Sequence, residues 1–204
     1  MSFLQILPLA FVMIAGPQIL SSVFLATSAR WRQSSLAYVG GAAIAVTFFV
    51  TLAFLLSHGA RSAGASDKAM YVVVLVLLIA AALHVYLERA QSEPPKWMGK
   101  LQTATPGFAF KLGVLLLGVF PTDILTSFAV GTYVDSHHEA WWSCLPFIGL
   151  TLLFLATPLI LVFALGARAQ TVLPAVRDWM NNNSWVVNEI VIGFFVALTI
   201  SDLV

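Results

Sequence analysis

Six runs of mostly apolar residues, each long enough to cross a bilayer, constrain this chain more than any other feature. A membrane-spanning helix needs about 20 such residues, because the hydrocarbon core is roughly 30 Å thick. The runs cover about residues 3–27, 36–57, 69–87, 108–130, 143–165 and 185–202. We refer to them, in this order, as the first to the sixth predicted span. The pattern predicts an all-α polytopic membrane protein.

The composition excludes a soluble domain. Of the 204 residues, 60% are hydrophobic and only 9% are charged, whereas a soluble domain carries about 25% charged residues. The net charge of +1 argues against nucleic-acid binding. A single cysteine, Cys144, cannot form an intrachain disulfide. No basic region precedes the first apolar run, so we expect the first span to be retained and not cleaved as a signal peptide.

Basic residues predict the orientation of the chain. If six spans alternate, the loops after the first, third and fifth spans share one side of the membrane with the start of the fourth. That side carries Arg30, Arg32, Arg89, Lys96, Lys100, Lys111, Arg168 and Arg177. The other side carries only Arg61 and Lys68. Because lysine and arginine are enriched in cytoplasmic loops, both termini are predicted to face outside.

A polar connector at residues 88–107 divides the chain into two halves with three predicted spans each. The first half is residues 1–87 and the second is residues 108–204. An odd number of spans per half means that the two halves enter the membrane from opposite sides. This is the inverted-repeat plan of many secondary transporters. The sequence therefore predicts two inverted three-helix repeats.

Two short segments support the repeat. "GPQILSS", Gly16–Ser22, and "FPTDILTS", Phe120–Ser127, nearly coincide when the chain is shifted by 105 positions. Each contains a proline, Pro17 or Pro121, at a depth of about 20 Å in its span. Proline removes a backbone hydrogen bond and clashes with the preceding turn. We therefore predict that the first and fourth spans break at these prolines, near the middle of the membrane.

A polar stripe with helical spacing follows each predicted break. The stripes consist of Gln18, Ser21 and Ser22 in the first span and of Asp123, Thr126 and Ser127 in the fourth. Side chains spaced i, i+3 and i+4 share one helix face, and free helix N-termini attract anions. These six residues, with Pro17 and Pro121, form the predicted central site for substrate binding and coupling. The alternative is structural, because proline kinks and backbone-bonded hydroxyls are common in membrane helices.

Asp123 has two interpretations that are compatible with each other. In the first, its carboxylate caps the half-helix that follows by accepting hydrogen bonds from the free backbone N–H groups. In the second, the carboxylate binds and releases a proton or responds to the substrate. Carboxylates inside the membrane are costly and usually functional. Gln18 cannot titrate, so a protonation switch in the central site would lie in the second half of the chain.

Three further polar residues are candidates for a gate. Asn188 and Glu189 lie near the inner start of the sixth span, where they either line an inner gate or complete a polar helix start. His84 lies deep in the third span, as a proton relay or as a packed, hydrogen-bonded side chain. Gly40, Gly41 and Ala45 form a small-residue patch for close helix packing or for an oligomer contact.

The sequence contains no motif of a known enzyme class. "DSHHEAWW", Asp135–Trp142, has a metal-like composition but not the spacing of a metalloprotease motif, so we expect a solvated helix start in an external loop and no metal. No phosphate-binding loop or nucleophile elbow occurs. We therefore expect neither enzymatic activity nor a cofactor.

With six helices in two inverted halves and a proline-marked polar segment in helices 1 and 4, the chain resembles the LysE exporter superfamily. "LPLAFVMIAGPQIL" and "RDWMNNNSWVVNEIVIGFFVALTISDLV" are similar to the GAP family, the sulfolipid-addressing and peptidoglycolipid-addressing proteins of mycobacteria and relatives. The resemblance implies that residues 16–18 and 121–123 are the central breaks. It also points to a junction before the sixth span, at Arg177, Trp179, Asn181, Asn183 and Trp185. The Glu-x-Gly-Asp-Lys motif of cation-exporting relatives and the paired cysteines of electron-transfer relatives are absent from the sequence.

Three functions are compatible with these observations. The resemblance implies a transporter that moves an amphiphilic, anionic envelope lipid or glycolipid, or a precursor, outward across the bacterial inner membrane. The second is a proton-coupled exporter of a small polar solute such as an amino acid, with Asp123 as the coupling residue. The third is a scaffold without transport activity in a lipid-export complex, with residues 88–107 as its docking surface. The expected partners are membrane lipids, protons, lipid-synthesis or export proteins, and a second copy of the chain.

Overall fold

The computed structural model describes residues 7–14, 16–62, 101, 103–168, 172 and 175. All structural statements below refer to these residues. The predicted third and sixth spans lie outside them, as do most of the connector and the junction at 177–185. The gate candidates His84, Asn188 and Glu189 also lie outside the described residues.

The described residues form α-helices and short 3₁₀ turns, without a β-strand among them. The α-helices are α1 (Leu7–Ile14), α2 (Pro17–Ala26), α3 (Trp31–Ser62), α4 (Pro106–Val119), α5 (Pro121–Ser136) and α6 (Leu145–Leu165). The 3₁₀ turns are Trp141–Cys144, before α6, and Gly166–Arg168, after it. The all-α prediction is therefore confirmed for this part of the chain.

Within the described residues, two or three elements are long and apolar enough to cross a membrane. They are α3, with 32 residues, the 25-residue segment Trp141–Leu165, and the α4–α5 pair if it is counted as one bent span. The first turn of α4 includes Pro106, so this helix begins two residues inside the predicted connector. The helices support a membrane protein, while the six spans and the inverted repeat stay predictions.

Both predicted break points coincide with a helix start. α1 ends at Ile14 and α2 begins at Pro17, preceded by Gly16 with φ +102°, a backbone conformation that favours glycine. α5 begins at Pro121, and Phe120 before it is extended, as a residue preceding proline usually is. The α4–α5 pair is bent by 68° at this point. A helix thus begins at each of the two prolines, as predicted, while the depth of these breaks in a membrane stays a prediction.

Helix α3 packs along both α4 and α5. Near its start it crosses α4 at backbone contact, because a Cβ atom at Gly41 would clash with the carbonyl oxygen of Phe110. The reverse also holds, since a Cβ atom at Gly113 would clash with the carbonyl oxygen of Tyr38. Small residues at such a crossing let two backbones approach closely. Gly41 therefore serves close packing within the chain, whereas a Cβ atom at Gly40 would meet no atom within 4 Å.

A common apolar core joins α1 and α2 to α3–α6. Its fully buried members include Met13, Leu25, Val46, Leu116, Phe147 and Leu155. Large apolar side chains also lie on the outside of the described helices, among them Leu36, Phe48, Leu55, Val119, Leu153 and Phe163. An apolar exterior of this kind fits contact with lipid or with other membrane helices.

Candidate functional site

The structure brings the two predicted break segments into direct contact. The Nε2 atom of Gln18, in the first turn of α2, donates a hydrogen bond of 2.6 Å to Oδ2 of Asp123, in the first turn of α5. These residues are 105 positions apart, and each side chain is buried, with a relative exposure of 2%. Two polar side chains that follow separate helix breaks thus meet in the protein interior.

The partners of Asp123 bear on whether its side chain caps the helix that follows it. The N-cap residue of α5 is Phe120, whose side chain has no acceptor, and the hydrogen bond found at the Asp123 carboxylate comes from Gln18 on α2. The backbone N–H of Asp123 itself donates to the carbonyl oxygen of Phe120 at 3.1 Å. The contact therefore favours the interpretation of Asp123 as a site residue over that of a cap, because the carboxylate is bonded to Gln18 on another helix. Within the described residues, ion pairs form at Asp135, and no cation pairs with Asp123.

Gln18 is held in place through its backbone. The hydroxyl of Tyr38, which is fully buried on α3, donates a hydrogen bond of 2.8 Å to the carbonyl oxygen of Gln18. The contact of Tyr38 with Gly113 fixes this part of α3 against α4. We did not predict Tyr38 from the sequence. The available signal was its hydroxyl in an apolar span, since a buried tyrosine hydroxyl needs a hydrogen-bond partner.

Two polar atoms of the central site are unused within the described part of the chain. Oε1 of Gln18 and Oγ of Ser127 are buried and have no hydrogen-bond partner there. Unpaired buried polar atoms are rare because each one costs free energy. The central site therefore has a free acceptor and a free hydroxyl next to the Gln18–Asp123 contact.

Two of the other hydroxyls in the stripes, those of Ser21 and Thr126, bond to the backbone of their own helices. Oγ of Ser21 donates to the carbonyl oxygen of Pro17 at 2.6 Å. Likewise, Oγ1 of Thr126 donates to the carbonyl oxygen of Thr122 at 2.8 Å. Both bonds follow the i to i−4 pattern that is common in membrane helices. They agree with the structural alternative for Ser21 and Thr126.

Ser22 connects α2 to α6. It is fully buried, and its hydroxyl donates to the carbonyl oxygen of Leu155. Leu155 lies in the turn before Pro158, a proline inside α6 whose missing N–H leaves the carbonyl of Phe154, the residue before Leu155, without its helical bond. A neighbouring hydroxyl commonly satisfies the backbone of a proline-containing membrane helix. Ser22 thus holds the broken first span against α6.

A second buried carboxylate, Asp135, lies near the C-terminal end of α5. Oγ of Ser57 donates to its Oδ2 at 2.5 Å, and Nη2 of Arg61 lies 3.1 Å from the same oxygen. Nδ1 of His58 lies 3.1 Å from Oδ1. Arg61 also donates from Nη1 to the carbonyl oxygen of Asp135 at 2.6 Å. We call these four residues the Asp135 cluster, and it joins the C-terminal ends of α3 and α5.

The Asp135 cluster corrects a prediction. The segment at 135–142 was expected to be a solvated helix start in an external loop, but α5 continues to Ser136 and Asp135 is only 2% exposed. The polar composition of this segment suggested solvent exposure, because Arg61, which pairs with the buried Asp135, is distant in sequence. No group of three or more histidine, cysteine or acidic side chains that could hold a metal occurs in the described ranges.

Apolar helices of membrane-spanning length, a broken span and a buried amide–carboxylate contact define a helical membrane protein with a polar central site. The chain belongs to the SfLAP family, described as Sap, sulfolipid-1-addressing protein, whose family model matches residues 6–202. This membership implies involvement in sulfolipid addressing. Comparison with curated proteins and with solved structures finds no match. The sulfolipid-addressing part of the sequence resemblance is thereby confirmed.

Proposed function

We propose that this protein transports an amphiphilic, anionic cell-envelope lipid or glycolipid, or its precursor, outward across the bacterial inner membrane. The observation that carries the proposal is the buried contact between Gln18 and Asp123 at two helix breaks. Discontinuous helices that meet inside the membrane form the substrate sites of many secondary transporters. The family contributes the substrate class, because its described member addresses a sulfolipid, which combines an acidic headgroup with acyl chains.

The starts of α2 and α5 are suited to an acidic headgroup. Neither N-cap residue, Gly16 or Phe120, has a side-chain acceptor for the N–H groups at its helix start, and helix N-termini attract negative charge. Asp123 opposes such binding while it is ionised. In the proposed cycle the headgroup therefore separates Gln18 from Asp123 and takes over the amide donor, while Asp123 becomes protonated or turns away. The unused atoms of Gln18 and Ser127 provide further contacts.

An apolar groove offers a route for the acyl chains. It has a volume of about 560 Å³ and lies between α3 and α4, open to the exterior of the described helices. Lys111 lines it on the N-terminal side of α4, and Val119 lines it next to the break before Pro121. A lipid substrate requires such a lateral groove, because its acyl chains remain in the bilayer. The groove therefore supports a lipid over a wholly polar substrate.

The proposed architecture has six spans in two inverted halves, with both termini outside, on the plan of the LysE superfamily. The helix starts at Pro17 and Pro121 and the bend at Pro121 support this arrangement. The proposal includes no enzymatic step and no cofactor. The driving force would be an ion or proton gradient or a partner protein.

Reconstitution of the purified full chain tests this function. Liposomes are loaded in one leaflet with a fluorescent sulfated glycolipid, and its appearance in the other leaflet is followed with a membrane-impermeant quencher. We expect transfer above the rate of protein-free liposomes. Gln18→Leu should slow transfer about tenfold, since it removes the amide donor that the headgroup takes over, a hydrogen bond worth about 1 kcal/mol or more. The matched control is Thr157→Val, an exposed hydroxyl on α6.

Two outcomes would contradict the proposal. Transfer at the protein-free rate by folded parent protein would favour the scaffold function, in which the chain acts only within a larger complex. Equal loss of transfer in Gln18→Leu and Thr157→Val would show that the assay reports general damage and not the central site.

Proton-coupled export of a small polar solute is the second candidate. It is favoured by the contact of buried Asp123 with a neutral amide and with no described cation. A carboxylate in this setting is able to exchange a proton during transport. The test is export of amino acids from vesicles with an imposed pH gradient. If Asp123→Asn exports a solute as well as the parent, coupling through this residue is refuted.

A further inference from the structure

The charges of the described residues are distributed unevenly between the two ends of the helices. The start of α3 lies beside the start of α4, because Ser34 donates a hydrogen bond to the carbonyl oxygen of Ala104 just before α4. The end of α6 lies at the same place, because Phe163 packs against Trp31, the first residue of α3. This end carries Arg30, Arg32, Lys111 and Arg168. The three described carboxylates lie elsewhere, at Asp123, Asp135 and Glu139. We call this end the basic end, and within the described part of the chain it has no acidic side chain.

A cavity at the basic end is lined by both arginines of the α2–α3 loop and the first turn of α3. Its volume is about 460 Å³, and its lining is the five consecutive residues 29–33. The side chains of Arg30 and Arg32 are exposed. Neither arginine forms an ion pair with a described carboxylate. Two guanidinium groups whose charge no described carboxylate neutralises therefore line one cavity.

The guanidinium group of Arg32 is positioned by aromatic rings. Its Cζ atom lies 5.0 Å from the ring centroid of Trp31 and 5.4 Å from that of Phe163 on α6. The two rings pack edge to face, with centroids 4.9 Å apart. Cation–π contacts orient an arginine but leave its charge and most of its donors available. Tryptophan also favours the membrane–water interface, which agrees with a site at headgroup level.

Exposed apolar side chains lie near Arg32 on two helices, Leu36 on α3 and Phe163 on α6. Leu36 is four residues after Arg32, so it lies one turn further along α3, and it is 60% exposed. Phe163, beside Arg32, is 56% exposed. A ligand whose acidic group contacts the arginines therefore finds an apolar surface next to that contact.

We propose that the cavity lined by residues 29–33 binds the acidic headgroup of an anionic membrane phospholipid, with an acyl chain along Leu36 and Phe163. Arginine pairs bind phosphate groups by bidentate hydrogen bonds, and basic pockets at the ends of membrane helices bind lipid headgroups. Continuity with apolar surface favours a lipid over a free anion. This site is separate from Gln18 and Asp123, and the proposal does not rest on the transport function.

Native mass spectrometry of the full chain in detergent micelles tests the lipid site. The protein is titrated with phosphatidylglycerol and, in parallel, with phosphatidylcholine of the same acyl chains. We expect the parent to prefer phosphatidylglycerol about thirtyfold, from two surface arginines at about 1 kcal/mol each. The double variant R30Q/R32Q should reduce this preference to about twofold or less. The matched control R168Q removes a cation of the basic end that does not line the cavity, and it should keep the preference.

Further variants and a competing anion distinguish a lipid site from general charge attraction and from a free-anion site. R32K keeps the charge but loses the planar guanidinium, and we expect a preference between those of the parent and the double variant. An unchanged preference in folded R30Q/R32Q would overturn the proposal. An equal loss in R168Q would show general attraction to the basic end and would also overturn it. Displacement of the lipid by millimolar inorganic phosphate alone would identify a free-anion site and contradict the lipid assignment.

Discussion

Two buried aspartates on one helix have very different surroundings. Asp123 and Asp135 both lie on α5, and each is 2% exposed. Asp135 contacts Arg61 and accepts a hydrogen bond from Ser57, so its charge is balanced. Asp123 receives a hydrogen bond from the neutral amide of Gln18. The comparison teaches that burial alone does not assign a role. A balanced carboxylate fastens two helices together, whereas an unbalanced one is free to change its charge or its partner.

The largest expected effect comes from breaking the balanced pair. Arg61→Met removes the permanent cation beside the buried Asp135 and leaves only His58 there, which should lower the free energy of unfolding by about 3–5 kcal/mol. Reversible denaturant unfolding in micelles measures this loss. The double variant Arg61→Met with Asp135→Asn should be more stable than Arg61→Met alone, because the uncompensated charge is gone. Parent-like stability of Arg61→Met would show that the Asp135 cluster does not fasten α3 to α5.

A smaller effect is expected where the central site is supported by the α3–α4 crossing. Gly113→Ala places a Cβ atom against the carbonyl oxygen of Tyr38, so we expect a loss of about 1–3 kcal/mol. Gly40→Ala is the matched control, because its Cβ atom would meet no atom within 4 Å. Alanine in place of a helical glycine there should stabilise by about 0.5–1 kcal/mol. Thermal unfolding measures both variants. A lower melting temperature for Gly113→Ala and a higher one for Gly40→Ala would confirm the close α3–α4 crossing, whereas shifts in the same direction would contradict it.

The smallest effect on stability is expected at Asp123 itself. Asp123→Asn removes a buried charge that has no described cation, so the free energy of unfolding should change by less than about 1 kcal/mol. Asp135→Asn should cost about 1–3 kcal/mol, because it removes the ion pair with Arg61 and the negative charge that accepts the hydrogen bond of Ser57. Parallel unfolding curves measure both variants. If Asp123→Asn is as destabilising as Asp135→Asn, the two aspartates do not differ as described.

The features that could be predicted from the sequence are those that depend only on neighbouring residues. The breaks at Pro17 and Pro121 follow from the chemistry of proline alone. The spacing of the polar residues then placed Gln18 and Asp123 at equivalent depths, and the structure joins them. Apolar run lengths located most of α3 and α6, although α3 begins at Trp31, five residues before the predicted start of the second span.

The partners of Asp135 and Tyr38 could not be predicted, because they depend on contacts between distant segments. Arg61 is 74 positions from Asp135, and neither residue has a local pattern that marks the other. The Tyr38–Gln18 bond likewise requires α3 and α2 to be placed first. A polar run such as "DSHHEAWW" has the same composition in a solvated loop and at a helix end buried by partners from another helix. The sequence therefore shows which polar residues lie in apolar segments, while the packing shows which of the buried carboxylates are paired with a cation.

Outward lipid transfer per folded molecule by Asp123→Asn and Asp135→Asn tests the central claim most directly. Both variants are reconstituted side by side, and each rate is divided by the amount of folded protein recovered. We predict that Asp135→Asn folds less well but transports at the parent rate per folded molecule. We also predict that Asp123→Asn folds like the parent but transports about tenfold more slowly or not at all. Parent-like transport by Asp123→Asn, or loss of transport in both variants alike, would contradict a functional central site.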